Sequence, residues 1–436
     1  MEMAMTLHPL PCGGWSKQLA VSVHTLYPKV RTRPLKLQIS AQSEFSMPPP
    51  YGPQVAEAVK ALRPTFEDVD TLVATNLNRV IKAYANARVG SHHFAGTTGY
   101  GHNDAGGRDA LDQAFAEIMG AEAAIVRSQV GSPLMDSSGR SPGVASAGEG
   151  SLKEFGVSYR EVPLSEDGGI NWDALNTAVK PETQCALIQR SCGYSWRKTL
   201  TVAEIQRAIR LIKGHNPNCI IVVDNCYGEF VETIEPTAVG ADLMAGSLIK
   251  NPGGTIAPCG GYVAGSSKWV QAAAARLCAP GIGMSAGSTT GDVMRLLFQG
   301  LFLAPQMVGE AIKGTLLVAE VMAAEGYNCQ PAPRVRRYDV IQAVQLGDRE
   351  RLLSFCRAAQ RICPVGSYIQ PVAGATAGYE SEVVFADGTF IDGSTSELSC
   401  DGPLREPYVV FCQGGTHWTH WALALEGVVQ ALRQLN

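Results

Sequence analysis

Two ionisable residues stand where apolar, strand-like runs end. Asp224 closes Ile220-Ile221-Val222-Val223, and Lys250 follows Leu243 to Ile249 and opens the turn Asn251-Pro252-Gly253-Gly254. An acid ending so apolar a run is costly to bury without a cationic partner. A lysine emerging from such a run is expected to have its pKa lowered by burial, which makes its amine a nucleophile. Ser247, just before the lysine, is placed to donate to a phosphate, and the glycines after Lys250 let one approach. Together these residues suit pyridoxal phosphate: the lysine would form a Schiff base with the aldehyde, and the acid would hold the pyridinium proton that makes the ring an electron sink. An Asp–Lys salt bridge beside a strand-ending turn fits the same pattern. A P-loop is excluded, because no G-x-x-x-x-G-K-[ST] occurs.

Such residues act only if a sheet holds them. The spacing predicts strands over Ala123 to Val126, Gln184 to Gln189, Cys219 to Asp224 and Leu243 to Leu248, with helices over Ala110 to Met119 and Ala203 to Lys213 and helical runs after Trp269 and from Val293. Strands alternating with helices imply a parallel sheet with covered faces, whose ligands bind beyond the carboxyl ends of the strands. Before this unit, apolar positions from Gln54 to Ala87 have helical spacing interrupted at Pro64, which predicts two helices. After it come a helix (Val308 to Ala324), a strand (Asp339 to Leu346), a helix (Asp348 to Ile362), a hairpin-like stretch (Glu382 to Ile391) and a last helix (Trp421 to Leu435), an α+β set read as a second domain.

The chain has 436 residues, 45% of them hydrophobic and 17% charged, with 36 Lys and Arg against 40 Asp and Glu. That suits a compact globule of two or more domains and disfavours a nucleic-acid binder. No uninterrupted apolar run approaches the roughly 20 residues that a spanning helix needs. The 12 cysteines form no C-x-x-C pair, which reads as reduced thiols in an intracellular compartment, with no metal site. Residues 1–45 hold five basic and two acidic residues, scattered Ser and Thr, and no apolar periodicity; they read as a transit peptide or a disordered tail, and the rest of the chain carries a formal charge of −7.

The runs around Asp224 (Val-Asp-Asn-Cys-Tyr-Gly-Glu-Phe-Val-Glu) and Lys250 (Ala-Asp-Leu-Met-Ala-Gly-Ser-Leu-Ile-Lys-Asn-Pro-Gly-Gly) resemble the methionine gamma-lyase-like "aluminium resistance protein" family of fold type I pyridoxal-phosphate enzymes. The resemblance extends over Thr97 to Gly101, Gln189 to Tyr194, Ala279 to Gly283, Phe298 to Pro305, and Asp401-Gly402-Pro403 through Gln413-Gly414-Gly415. It covers nearly everything from about 50 onward and looks closest to cyanobacterial members, which with the N-terminal extension suggests a plastid (chloroplast) protein.

The resemblance implies an α/β fold of the type I transferase kind: a helical segment at 46–90, a large cofactor domain at 91–304 with a mostly parallel sheet, and a smaller α+β domain at 305–436. Lys250 would carry the cofactor, Asp224 would meet the pyridine nitrogen, and Ser247 would lie near the phosphate. Family members form dimers or tetramers with shared sites, so Tyr100 and Arg108 would reach a neighbouring subunit's cofactor; a sheet-capping tyrosine and a surface arginine are the plainer readings. The carboxylate of an amino-acid substrate calls for a guanidinium. Arg405 is the first candidate and Arg190 the second, though either could be a structural ion pair. His417 and His420 read as packing residues. The implied reaction is elimination of a thiol from a sulfur amino acid, Lys250 acting as base at Cα; transamination or β-elimination would use the same Lys–Asp pair.

One departure stands out. After Val126-Arg127-Ser128-Gln129 the family continues with a Ser-Gly-Thr-His-type turn and helix that cradle the phosphate, then a strand and an aromatic residue near the cofactor ring. Here 130–150 is unrelated Gly/Ser/Pro-rich sequence, and the family pattern resumes at Gly150-Ser151-Leu152-Lys153. Losing that helix terminus would remove phosphate donors and uncover apolar surface on the sheet. The expectation is a gene model lacking an exon, or else a variant that has become an inactive cofactor-binding or scaffold protein.

Overall fold

The computed structural model describes residues 49–95, 106–128, 156–277, 289–376 and 381–435, with 281, 283 and 379. Tyr100, the Gly/Ser/Pro-rich segment 130–150 and the N-terminal 45 residues lie outside them, as do most residues of the Ala279 to Gly283 run.

Helix α1 (Pro53–Asn86) is one continuous helix, not two. Pro64 sits inside it, and the apolar face Val55, Val59, Leu62, Phe66, Val69 and Val80 is buried across that proline. Packing of this stripe outweighs the backbone hydrogen bond that proline removes. Helix α2 (Gly107–Met119) then leads into the first sheet, which is built from β1 (Ala123–Arg127), β2 (Cys185–Gln189), β3 (Ile220–Asp224), β4 (Leu243–Ser247) and β5 (Gly261–Gly265) in the order β1-β5-β4-β3-β2. Strands β2, β3 and β4 run parallel, and β5 is antiparallel to both β4 and β1. Four of the five strands therefore share one direction. Helices α3 (Trp172–Ala178), α4 (Val202–His215) and α5 (Ser267–Leu277) belong to the same unit. Thr201 and Glu204 form a capping box that fixes the start of α4.

At the edge of the sheet, β2 is only partly covered: Cys185 is exposed and Leu187 is 36% exposed. On the neighbouring β3, Ile221 and Val223 are fully buried.

Helix α6 (Gly291–Ala324) is a 34-residue helix that runs through Pro305 and across the boundary expected at 304/305. Near its start its backbone meets the turn after Lys250, since a Cβ on Gly254, at φ +52°, would stand 2.3 Å from the Gly300 carbonyl oxygen. Farther on it supports the second sheet, of β6 (Asn328–Gln330), β7 (Ile341–Gln345), β8 (Val383–Ala386), β9 (Ser399–Pro403) and β10 (Val409–Gln413), ordered β6-β7-β10-β9-β8 and antiparallel throughout. Helices α7 (Arg349–Gln360) and α8 (Trp418–Arg433) accompany it. The hairpin expected within Glu382 to Ile391 does not form, because β8 pairs with β9 instead. His417 is the N-cap of α8, its ring accepting from the Thr419 N–H, and is exposed rather than packed.

Candidate active site

Asp224 and Lys250 come from adjacent parallel strands, and both lie where those strands end. Asp224 is buried, and its Oδ1 accepts the Cys226 N–H at 3.0 Å. The chain then turns sharply, with Tyr227 in the left-handed region at φ 70°, a costly conformation for a residue with a Cβ. The turn brings the Tyr227 ring under the lysine, whose Nζ stands 4.2 Å from the ring centroid. Ser247, the last residue of β4, is buried beside them.

The lysine's charge behaves differently from the expectation. Burial alone would lower its pKa, but the Cys226 thiol, the Tyr227 phenol and the Asp224 carboxylate favour the ammonium, and the net direction is upward. Burial pushes both the Cys226 thiol and the Tyr227 phenol up and keeps them neutral near pH 7, so the Asp224 carboxylate is the negative charge that favours the ammonium.

A second acid faces the same crevice from the second sheet. Burial pushes the Asp401 carboxyl up to about 7, against the opposing pull of the Tyr194 hydroxyl and Lys250. Tyr194 donates to Asp401 Oδ2, while Oδ1 has no hydrogen-bond partner among the described residues. The Tyr194 ring leans on Phe411 at 5.2 Å and Tyr379 at 5.4 Å. Behind β4, Glu229 lies so close that a Cβ on Gly246 would be 2.6 Å from its Oε1. Burial raises Glu229 to about 8, although Tyr262 donates to it at 2.7 Å.

The arginine candidates separate clearly. Arg190 is fully buried and saturated: it donates to Asn225 and the Gly228 carbonyl, both at 2.9 Å, and to Glu232 at 2.7 Å and Glu235 at 3.3 Å. A Cβ on Gly228 would be 2.5 Å from its Cδ. With its side chain fully buried among these acceptors and paired to two carboxylates, Arg190 is a structural ion pair, not the substrate's carboxylate partner expected from the sequence. Arg405 is exposed at the rim, with Nη2 donating to the Tyr194 carbonyl at 3.4 Å. Arg108 is buried in the first turn of α2, so the surface reading fails for it.

Tyr227, Tyr194, Asp401 and Glu229 were not singled out in the sequence, yet Tyr227 and Glu229 follow Asp224 within the same run. Tyr194 and Asp401 fall inside the two other quoted runs, and nothing in one dimension shows that their side chains meet.

The sequence profile of the methionine gamma-lyase family matches residues 53–136 and 131–433. The chain belongs to the methionine gamma-lyase family. The two matched stretches meet at 131–136, inside the segment that departs from the family pattern. The Bacillus subtilis protein YnbB is 40% identical over 393 residues, spanning 84% of this chain and 93% of its own length. Those aligned positions outnumber the residues of this chain that they span, so YnbB carries internal residues lacking here. A Listeria monocytogenes structure, described as a candidate cystathionine beta-lyase involved in aluminum resistance, superposes with a TM-score of 0.82 at 36% identity, covering 87% of this chain and 99% of its own. A carbon-sulfur lyase involved in aluminum resistance from Clostridium novyi gives 0.79 at 35% identity, covering 88% and 95%. This family's fold is the type I pyridoxal-phosphate fold, in agreement with the mixed α/β sheet.

Proposed function

We infer that this chain is a pyridoxal-phosphate-dependent carbon–sulfur lyase acting on a sulfur amino acid. The observation that carries this reading is the half-buried Lys250 ammonium, lying over the Tyr227 ring and within the electrostatic influence of the strand-end carboxylate of Asp224. The donor set fits the cofactor: one amine, one carboxylate on the next strand, one buried hydroxyl, and, at Asp401 Oδ1 and Asn251 Oδ1, buried polar atoms with no hydrogen-bond partner among the described residues. When bound, pyridoxal phosphate supplies an electron sink for negative charge at Cα.

The chain's own residues supply the rest. Lys250 would hold the cofactor's carbonyl carbon and, once displaced by substrate, take the Cα proton. Its raised pKa means that the ammonium must first give up a proton to become a nucleophilic amine, so loading should speed up with pH. Asp224 would keep the ring nitrogen protonated, and Ser247 would donate to the phosphate. Tyr227 would orient the lysine, its own ring packed in a cluster with Phe411 and Tyr194. Arg405 would draw an incoming carboxylate to the rim.

The assignment is tested by the visible spectrum of the purified chain with added pyridoxal phosphate, before and after borohydride, with mass mapping of the label. A yellow species fixed at Lys250 and thiol release from a sulfur amino acid support it; absence of both sinks it. Shared sites in a homodimer or homotetramer, with Tyr100 and Arg108 reaching the neighbour, are supported by the resemblance and tested by light scattering. The basic first 45 residues support plastid import, tested with a fluorescent fusion. No described helix is long and apolar enough to cross a membrane.

A further inference from the structure

Helix α7 and its C-cap carry Glu350, Ser354, Arg357 and Arg361 at intervals of four, three and four, which places them on one stripe. The other face of the helix, with Leu352, Phe355 and Cys356, is buried toward the second sheet, where the Cys356 thiol meets the Cys400 carbonyl. The outward stripe is one wall of a cavity of about 270 Å³, whose remaining walls are Gln370 and, from α8 and the turn after it, Ala431 and Leu435. Drug-sized ligands occupy roughly 300–1,000 Å³, so this hollow suits a smaller molecule. It is on the side of α7 turned away from the sheet, and none of its residues belongs to the Lys250 crevice.

Donors dominate its lining: two guanidiniums, the Ser354 hydroxyl and the Gln370 amide. The one acid, Glu350, already stands 3.6 Å from Arg349. Among the described residues neither Arg357 nor Arg361 forms an ion pair. Arg357 uses only Nε, which donates to the Pro371 carbonyl at 3.3 Å. That contact orients the guanidinium and leaves Nη1 and Nη2, the side-by-side pair that matches a carboxylate. A helix end by itself attracts cations. It does not account for a hollow beside them, nor for the apolar patch of Ala358, Ala431 and Leu435 on the hollow's wall.

We propose that this hollow between α7 and α8 is a binding site for a small organic carboxylate with a short apolar tail. Arg357 and Arg361 hold the carboxylate, Ser354 and Gln370 donate to an oxygen beside it, and the alanines with Leu435 cover the tail. A short 2-oxo acid has all three parts. It is also the class of compound left when a sulfur amino acid loses its thiol and then, on hydrolysis, its ammonia; that choice among carboxylates is the one part that rests on the lyase reading.

The test is arginine labelling of the full chain with phenylglyoxal, mapped by mass spectrometry, in the presence of 2-oxobutanoate, inorganic phosphate or neutral 2-butanol at matched ionic strength. With 2-oxobutanoate, labelling at Arg357 and Arg361 should slow along one saturation curve, by about tenfold at ten times the dissociation constant that the curve gives. Labelling at the exposed Arg334 should not change. In Arg357→Gln the protection of Arg361 should be lost. Slowing that does not saturate, or that is equal at Arg334, overturns the proposal, as does protection of Arg361 retained in Arg357→Gln. Phosphate protecting at lower concentration than 2-oxobutanoate, or 2-butanol protecting as well, overturns the carboxylate assignment. The labelling is run with and without pyridoxal phosphate and should give the same curve. Failure of the lyase reading would appear separately, as no borohydride-fixed label at Lys250, and would leave that curve intact.

Discussion

Arg190 and Arg337 are both buried cations, one beside each sheet. Arg190, at the end of β2, is surrounded by Glu232, Glu235, Asn225 and a backbone carbonyl, whereas Arg337, before β7, has an open fork. The same contrast extends beyond the pair. Side-chain atoms without partners recur along the second sheet and its approaches, at Gln342 Oε1, Thr395 Oγ1, Ser396 Oγ, Ser399 Oγ and Asp401 Oδ1. Around the first sheet such atoms are fewer, at Glu229 Oε2 and Asn251 Oδ1, and the second sheet holds the larger share of open donors and acceptors among the described residues.

The comparison can be broken first at the lysine. Lys250→Ala should abolish both the borohydride-fixed label and thiol release, and turnover retained by that variant would remove the first sheet's claim to the chemistry. Next, Arg190→Ala should destabilise the fold by about 3–5 kcal/mol, because it strands two carboxylates; urea denaturation measures this, and a neutral result would erase the contrast with Arg337. Asp224→Ala should cost ~100-fold in rate and weaken cofactor binding, read by titrating absorbance at fixed enzyme.

The buried acids give a pH signature. Glu229 has an ordinary value of 4.5 and is raised to about 8, and Asp401 has an ordinary value of 3.8 and is raised to about 7. Each fold-held acid favours its proton, so its contribution to stability is complete below the ordinary value and is lost as pH rises through the raised one. The unloaded wild type should therefore weaken between about pH 4 and 8, and Glu229→Gln with Asp401→Asn should flatten that slope; calorimetry at pH 5 and pH 8.5 reads it. Smallest of all, Leu187→Lys on the open edge of β2 should change stability by no more than about 0.5 kcal/mol.

The strand-end positions of Asp224 and Lys250 were legible in the sequence because each residue follows an apolar, strand-like run. Strand β5 was not, since Gly261-Tyr262-Val263-Ala264-Gly265 is short and bounded by glycines that read as a turn. Pro64 suggested a helix break, and the boundary expected at 304/305 separated the helical runs from Val293 and Val308; packing of buried faces overrode both. Arg337 lies in Arg334-Val335-Arg336-Arg337, which reads as a solvated basic run; Arg334 and Arg336 are indeed exposed, and only tertiary burial distinguishes the last of them. The expectation for Arg190 failed for the converse reason, as its acceptors arrive from residues 225 to 235.

Helix α6 touches the Lys250 turn through Gly300 and, toward its other end, receives the Cys329 thiol at the Ala319 carbonyl and the Arg334 guanidinium at Glu320. A single rod thus underlies both the Lys250 turn and the second sheet. Heating should release the two together, so that loss of the cofactor site and loss of the second sheet register as one cooperative transition rather than as two melting domains.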